Sequence, residues 1–196
     1  MTAAHPQWVT KELATSDSRT FNPSMSLNLK DFIAPVPDFP KPGILFRDIS
    51  PLLAAPEAFK AAVRGMAELV KRSGASMIVA IESRGFIFGA PVALEVGLPM
   101  VLVRKPGKLP GEREQVSYGL EYGKDSLEVK RGMIPAGTKI AIIDDVLATG
   151  GTAVATEDLV TRVGGEVVSF VFLLEISGLP GRERLGGERV SSLLSF

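Results

Sequence analysis

The segment of this sequence best suited to chemistry spans residues 140–152, IAIIDDVLATGGT, where an acid pair precedes a glycine-rich turn. Asp144 and Asp145 follow an apolar run typical of a buried strand. Two adjacent carboxylates can accept hydrogen bonds from vicinal hydroxyls, or help to hold Mg²⁺ directly or through water. The turn and the predicted helix after it offer backbone N–H groups and hydroxyls to a phosphate. The residues of this turn are Ala148, Thr149, Gly150, Gly151 and Thr152. Their spacing matches neither the dinucleotide-binding nor the Walker glycine pattern.

Charged residues also follow two other predicted strands. The tetrapeptide ESRG begins at Glu82, directly after the apolar run MIVAI, and the basic cluster of Arg104, Lys105 and Lys108 follows MVLV. Because parallel strands present their carboxyl ends at one edge of a sheet, these clusters and the acid pair should share one rim. Two basic clusters and one acidic pair suit a ligand that carries phosphates, a polyol and a divalent cation.

The composition excludes several other classes of function. The 196 residues are 45% hydrophobic and 22% charged, which indicates one globular domain, or one with a small appendage. Lys and Arg (22) balance Asp and Glu (22), and this neutrality argues against a nucleic-acid partner. Cysteine is absent and His5 is the only histidine. This excludes disulfides and thiolate sites and argues against a Ser-His-Asp triad or a multi-histidine metal site.

The sequence has no pattern typical of a membrane span or a secretory signal. The longest uncharged run, residues 146–156, is far shorter than the ~20 residues of a span, and the N-terminus lacks a basic-then-apolar pattern. We therefore expect a cytoplasmic protein with no membrane partner. Residues 1–25 show no apolar periodicity and are predicted to be a disordered or loosely attached extension, with one domain at 26–196.

Strands alternate with helices along the chain, which predicts an α/β fold with a parallel sheet flanked by helices on both faces. The predicted helices are 29–33, 56–73, 85–96 and 151–163. The predicted strands are 77–81, 100–103, 126–130 (as an edge strand), 139–143, 166–175 and 190–194. Prolines between 35 and 42 predict an extended, irregular path. Residues 104–124, rich in glycine, proline and charge, predict a long mobile loop that ligand binding orders, because its cations lack counter-charges without ligand.

Five segments resemble one enzyme family. The segment IAIIDDVLATGGT is similar to the 5-phosphoribosyl 1-diphosphate (PRPP) signature of type I phosphoribosyltransferases. Four others resemble the adenine phosphoribosyltransferase family specifically: PGILFRDISP (42–51), ESRGFIFG (82–89), VRKPGKLPG (103–111) and YGLEYGKDSLE (118–128). The resemblance covers nearly the whole chain from about residue 27.

This resemblance implies a Rossmann-like twisted sheet with a small hood and a mobile catalytic loop. It implies transfer of the 5-phosphoribosyl group from PRPP to adenine, which gives AMP and diphosphate in purine salvage. It further implies a homodimer and Mg²⁺ as the cofactor. The metal would be held through PRPP, with Asp144 or Asp145 as the candidate protein ligands.

The resemblance also implies roles for individual residues. Residues 148–152 would hold the 5′-phosphate, and Asp144 and Asp145 the ribose hydroxyls. The diphosphate would be met by Ser83, Arg84, Arg104, Lys105 and Lys108, of which Arg84, Lys105 and Lys108 would stabilise its charge during catalysis. The adenine would be bordered by Leu45, Arg47, Val146 and Ile176. Glu121 would be the acid/base residue near the purine, with Tyr122 beside it in the closing loop.

Two other functions stay open on the sequence. One is phosphoribosyl transfer to a different purine base, since the 6-amino group of adenine donates a hydrogen bond whereas a 6-oxo group accepts one. The other is a PRPP-sensing regulator that binds nucleic acid, against which the neutral charge and the single-domain length count. Nucleotide formation from PRPP, Mg²⁺ and each purine base would separate the three.

Overall fold

A computed structural model describes residues 27–120 and 123–196 of the chain. Within these ranges the chain divides into two compact units, which meet in the sequence at Lys60 and Ala61. None of the helices in the described ranges has the length and apolar character needed to traverse a bilayer.

The first unit is built on a proline-rich hairpin. Its elements are a 3₁₀ turn (Leu29–Phe32), the antiparallel strands β1 (Ala34–Pro37) and β2 (Leu45–Asp48), and the short helix α1 (Ser50–Ala54). Asp38 and Gly43, both at positive φ, close the hairpin, and the Gly43 N–H donates to Asp38 Oδ1 at 2.7 Å. Residues 34–37 are extended as their prolines predict, but they are paired rather than irregular.

The second unit is a seven-stranded sheet with helices packed on it. Its elements are α2 (Pro56–Ser73, which begins in the first unit), β3 (Met77–Ile81), α3 (Arg84–Val96), β4 (Met100–Arg104), β5 (Arg113–Leu120), β6 (Gly123–Lys130), β7 (Lys139–Leu147), α4 (Gly151–Arg162), β8 (Glu166–Glu175), α5 (Gly181–Arg184), a 3₁₀ turn (Gly187–Arg189) and β9 (Val190–Ser195). The strand order is β5-β6-β4-β3-β7-β8-β9. The strands from β4 to β9 in this order are parallel, and β6 and β5 add an antiparallel edge. The predicted α/β class is therefore confirmed.

The central strands are buried on both faces, which is why they are continuous apolar runs. All five residues of β3 are buried. Val79 belongs to the core cluster that contains Leu159 of α4. Its neighbour Ala80 faces α3, because a Cβ added at Gly89 of that helix would lie 2.6 Å from the Ala80 Cβ. Successive residues of one strand thus support helices on opposite faces of the sheet.

Three sequence predictions are wrong in detail. The predicted loop 104–124 contains β5 at residues 113–120, an edge strand that is polar enough to lack a continuous apolar run. The predicted strand 126–130 belongs to β6, which is not an edge strand because it lies between β5 and β4. The predicted strand 139–143 continues through the acid pair to Leu147, because these residues keep pairing with β8.

The strand order leaves a crevice between the ends of β3 and β7. From β3 the chain passes through α3 to β4 on one side, and from β7 it passes through α4 to β8 on the other. Adjacent parallel strands whose connections leave in opposite directions mark the place where open α/β sheets bind ligands. The residues that follow β3 and those at the end of β7 therefore define the candidate site.

Candidate active site

A cavity lies between the end of β7 and the start of α4. Its walls are Asp144, Val146, Leu147, Ala148, Thr149, Gly150, Gly151, Thr152, Ala153 and Phe172. Gly150 stands at the N-cap of α4 with φ +79°, a conformation that glycine adopts without strain, and no side chain caps this helix within the described ranges. The first-turn N–H groups and the positive end of the helix dipole are thus available to an anion. All five residues predicted to form the phosphate turn line this cavity.

The short helix α5, which was not predicted from the sequence, packs against the phosphate turn (residues 148–152). A Cβ added at Gly181 would lie 2.3 Å from the Ala148 carbonyl oxygen and 2.7 Å from Leu147 Cδ1. A Cβ added at Gly150 would lie 3.0 Å from the Gly181 Cα. Arg184 Nη1 also donates to the Thr149 carbonyl at 3.0 Å. Gly181 lacks a Cβ, and this lets its backbone approach Ala148 and Gly150 so closely.

The acid pair lies inside β7 rather than after it. Asp144 lines the cavity, whereas Asp145 is buried with its Oδ2 2.9 Å from Arg84 Nε. The Asp145 N–H donates to Asp144 Oδ1 at 2.9 Å. Asp145 Oδ2 is buried and accepts no hydrogen bond of good geometry from the described residues, although it forms the ion pair with Arg84. The pair and Arg84 are thus brought together, as the shared rim predicts.

Burial raises the pKa of both carboxyls. For Asp144 the pKa lies well above its ordinary value, because burial penalises the charge and the Asp145 carboxylate adds repulsion. Burial raises the pKa of Asp145, and the Arg84 guanidinium lowers it by a smaller amount. The ionised form of both carboxyls is unfavourable in this site. Hydrogen bonds from hydroxyl groups, or a bound cation, would stabilise it.

A second close approach joins the β3 loop to the acid pair. Ser83 is the N-cap of α3 and follows Glu82 through a cis peptide bond. Gly85, in the first turn of α3, has no room for a side chain, because a Cβ there would lie 2.8 Å from the Ile143 carbonyl oxygen and 3.0 Å from Asp144 Oδ1. This contact between α3 and β7 keeps Ser83 and Arg84 at the crevice.

The three cations that follow β4 are all paired with carboxylates. Lys108 Nζ donates to Glu82 Oε1 at 2.6 Å, and Arg104 Nε lies 3.3 Å from Glu82 Oε2. Lys105 Nζ lies 3.2 Å from Asp125 Oδ2. The expectation that these cations lack counter-charges without ligand is therefore wrong, because Glu82, which follows β3, and Asp125 of β6 supply the acids. Burial alone would raise the pKa of Glu82, but hydrogen bonds from Lys108, the Lys105 N–H and Arg104 lower it to about 2.

The hairpin of β5 and β6 reaches the phosphate turn through one tyrosine. Tyr118 OH lies 3.4 Å from Thr152 Oγ1, and its ring packs against the main core cluster. Burial raises the pKa of Tyr118, so the phenol stays protonated and can donate at neutral pH. The predicted acid/base residue Glu121 and its neighbour Tyr122 lie outside the described residues.

The four predicted adenine-binding residues fall in both units. Leu45 and Arg47 are in β2 of the first unit, where Leu45 is exposed. In the second unit Val146 lines the cavity, and Ile176 follows β8 and donates its N–H to the Leu147 carbonyl at 2.9 Å. Val146 and Ile176 thus sit on neighbouring strand ends beside the phosphate turn.

A family profile, related sequences and solved structures all match this chain to the same family. The profile of the phosphoribosyl transferase domain family matches residues 50–184. The adenine phosphoribosyltransferase of Synechococcus sp. (strain CC9902) is 50% identical over 172 residues, which cover 87% of this chain and 98% of that protein. The crystal structure of the enzyme from Thermoanaerobacter pseudethanolicus is 45% identical, with a TM-score of 0.82 over 86% of this chain and 98% of that one.

A further solved structure carries ligands. The adenine phosphoribosyltransferase of Saccharomyces cerevisiae, complexed with adenine and an imino-altritol bisphosphate, is 39% identical. It matches with a TM-score of 0.79 over 85% of this chain and 96% of that one. Since relatives of up to half-identical sequence align over almost their full length, this chain belongs to the phosphoribosyltransferase family and, within it, to the adenine phosphoribosyltransferases.

Proposed function

We propose that this chain transfers the 5-phosphoribosyl group from PRPP to adenine, giving AMP and diphosphate in purine salvage. The observation that carries the proposal is the phosphate cavity at the N-terminus of α4, which adjoins the Asp144–Asp145 pair and its Arg84 partner. Family membership and the adenine-bound yeast relative support the choice of base.

In this reaction the turn 148–152 holds the 5′-phosphate. Its N–H groups meet the phosphate oxygens at the positive end of α4, and Thr149 and Thr152 add hydroxyl donors. Asp144 and Asp145 accept hydrogen bonds from the ribose hydroxyls, which supply the partners that buried carboxylates require. Both ends of the phosphoribosyl group are then fixed relative to β7.

The other side of the crevice receives the diphosphate. The bond between C1 of the ribose and the diphosphate oxygen breaks, and both electrons leave with the oxygen. A nitrogen of adenine bonds to C1 and loses its proton to the acid/base residue Glu121. The sugar passes through an oxocarbenium-like state, so negative charge grows on the diphosphate. Ser83, Arg84, Arg104, Lys105 and Lys108 meet this group. Arg84, Lys105 and Lys108 stabilise its negative charge more strongly in the transition state than in the ground state.

The donor set of the crevice fits Mg²⁺ held mainly by substrate. Bound Mg²⁺ supplies charge neutralisation for the diphosphate. The described residues contain no group of three acids or histidines that could ligate a metal by themselves. The Asp144 carboxylate in the cavity, with Asp145 beside it in ion pair with Arg84, can contribute at most one or two oxygens. Mg²⁺ usually takes its remaining ligands from water and phosphates.

Adenine is bordered by Val146 and Ile176 at the neighbouring ends of β7 and β8. Leu45 and Arg47 keep the role toward adenine that the family resemblance implies. Glu121 takes the role of acid/base residue toward the purine, with Tyr122 beside it. Closure of residues 104–113 over the site excludes water, which would otherwise capture the cationic sugar and hydrolyse PRPP.

Of the remaining features of the proposed enzyme, the homodimer comes from its resemblance to the family, and the location and the domain bounds come from the sequence pattern. It acts as a homodimer in the cytoplasm. Residues 26–196 form the catalytic domain, and residues 1–25 are an extension that catalysis does not need.

The test is incubation of the chain with PRPP, Mg²⁺ and each of adenine, hypoxanthine, guanine and xanthine, with chromatography of the nucleotides formed. We expect AMP from adenine, little product from the 6-oxo bases, and loss of turnover when a chelator removes Mg²⁺. Preferred conversion of a 6-oxo base would replace adenine as the substrate, and absence of any nucleotide would refute the proposed activity.

A further inference from the structure

Glu82 is a largely covered carboxylate that the proposed reaction does not use. It follows β3 directly and precedes Ser83 and Arg84 of the diphosphate loop. Its side chain is only 9% exposed. The carboxylate accepts hydrogen bonds from Lys108 Nζ at 2.6 Å, from the Lys105 N–H at 2.8 Å and from Arg104 Nη2 at 3.5 Å. One carboxylate thus accepts hydrogen bonds from three residues at and after the end of β4.

The partners of Glu82 are the same cations that the diphosphate needs. A carboxylate and a diphosphate present the same chemistry to Lys and Arg, namely anionic oxygens that accept charge-assisted hydrogen bonds. Lys108 is half exposed, with 51% of its side chain accessible, so it can reach an incoming anion without disturbing the core. An anion that enters the crevice therefore competes with Glu82 for Lys108.

We propose that Glu82 is a positioning residue that exchanges with the diphosphate as the counter-ion of Lys108 and Arg104. Without ligand it holds both cations at the end of β4, where they are ready to bind. When the diphosphate binds, Lys108 leaves Glu82 and pairs with the diphosphate. When the diphosphate dissociates, Lys108 pairs with Glu82 again. This inference rests on the proposed function. Its consequence is that the fixed negative charge weakens diphosphate binding and so speeds release of that product.

A second acid provides a matched control. Glu128 of β6 is also nearly inaccessible, with 4% of its side chain exposed. It accepts a hydrogen bond from the Gly107 N–H at 3.1 Å and lies 3.3 Å from Arg113 Nε. It anchors the same segment between β4 and β5 and lies opposite Arg104 in the pairing of β6 with β4, but the ion pairs of Arg104 and Lys108 in the described residues are with Glu82 rather than with Glu128. A structural role shared by both acids would make their variants behave alike.

The experiment compares Glu82→Gln with Glu128→Gln by calorimetric titration of diphosphate in the presence of Mg²⁺. Glutamine keeps the shape of the side chain and one acceptor oxygen but removes the charge. We expect Glu82→Gln to bind diphosphate about two- to fivefold more tightly, the effect of one half-exposed ion pair. This affinity should fall more steeply with added salt than that of the wild type. Glu128→Gln should bind no more tightly than the wild type.

Thermal unfolding shows whether each variant is folded before it is titrated. If Glu82→Gln does not fold, Glu82→Asp keeps the charge but withdraws it from Lys108, and it should tighten diphosphate binding in the same direction by a smaller factor. Unchanged or weaker binding in the folded Glu82 variant would overturn the inference, as would equal tightening in Glu128→Gln.

Wild-type AMP formation from PRPP and adenine is measured beside the titration, so the two proposals fail separately. AMP formation with no shift in diphosphate affinity would remove the role of Glu82 and leave the enzyme assignment standing. A shift in affinity without AMP formation would support the counter-ion exchange and refute the proposed activity.

Discussion

Replacement of Gly181 by alanine should damage the phosphate turn from outside the cavity. The new Cβ would lie 2.3 Å from the Ala148 carbonyl oxygen and 2.7 Å from Leu147 Cδ1. The first distance is roughly 1 Å short of ordinary contact. Because the obstacle is a backbone carbonyl, no rotamer change relieves the overlap, and either α5 or the turn must move.

The cost follows from the size of this overlap. Overpacking of a well-packed site costs about 1–3 kcal/mol of unfolding free energy. For a chain of this size each kcal/mol lowers Tm by about 2–4 °C. A displacement of the turn by about 1 Å can reduce turnover by as much as ~10²-fold. We therefore expect Gly181→Ala to lower Tm by several degrees and to raise the KM for PRPP, with a smaller effect on the KM for adenine.

Differential scanning fluorimetry and AMP formation at varied PRPP concentration measure the two effects. Leu179→Ala is the matched control, because Leu179 lies two residues earlier in the same segment and is exposed. Its stability should stay within about 0.5 kcal/mol of the wild type. A Gly181→Ala protein with wild-type Tm and wild-type KM for PRPP would refute the argument that this glycine sets the position of the turn.

Three further predictions concern the acid pair, the N-terminus and the basic loop (residues 104–113). Asp144→Asn combined with Asp145→Asn should abolish most AMP formation. Burial raises the pKa of both carboxyls, so their contribution to stability is present at acidic pH and is lost as pH rises through the raised pKa values. The Tm of the variant should therefore exceed that of the wild type most at alkaline pH. Near-normal turnover of the variant would contradict the assignment. A chain that starts at Met25 should keep the activity and Tm of the full chain, whereas loss of either would make the extension structural. Residues 105–112 join β4 to β5 outside any helix or strand and are mostly exposed, so trypsin should cleave the basic loop rapidly without ligand. Cleavage should be slow once PRPP and Mg²⁺ occupy its cations, and equal rates would exclude a lid.

The helices and central strands are largely determined by local sequence. The 3.6-residue apolar period predicts a helix over residues 56–73, and α2 has these same ends, because one face of the helix is buried and the other is exposed to solvent. The continuous apolar runs place β3 and β8 equally well, since a strand covered on both faces has no polar side. These patterns depend on residues that are neighbours in sequence.

The edge of the sheet is not determined in this way. The strand β5 carries the polar sequence REQVSYGL, which is held by pairing with β6 and by packing against α4. Its glycine and charges favour a loop when the strand is considered alone. The proline-rich strand β1 was missed as a paired element for the same reason, because its partner begins eight residues after it ends.

The sequence by itself determined the chemistry of the site: an acid pair, a glycine-rich turn and two basic clusters, each at the end of an apolar run. Only the tertiary structure decided how these groups are combined. Strand order put β3 beside β7 and so brought Arg84 within 2.9 Å of Asp145. Folding also paired Lys108 with Glu82, 26 residues away. Ion pairs of this kind depend on distances between strand ends, and those distances exist only after long-range pairing has set the order of the sheet.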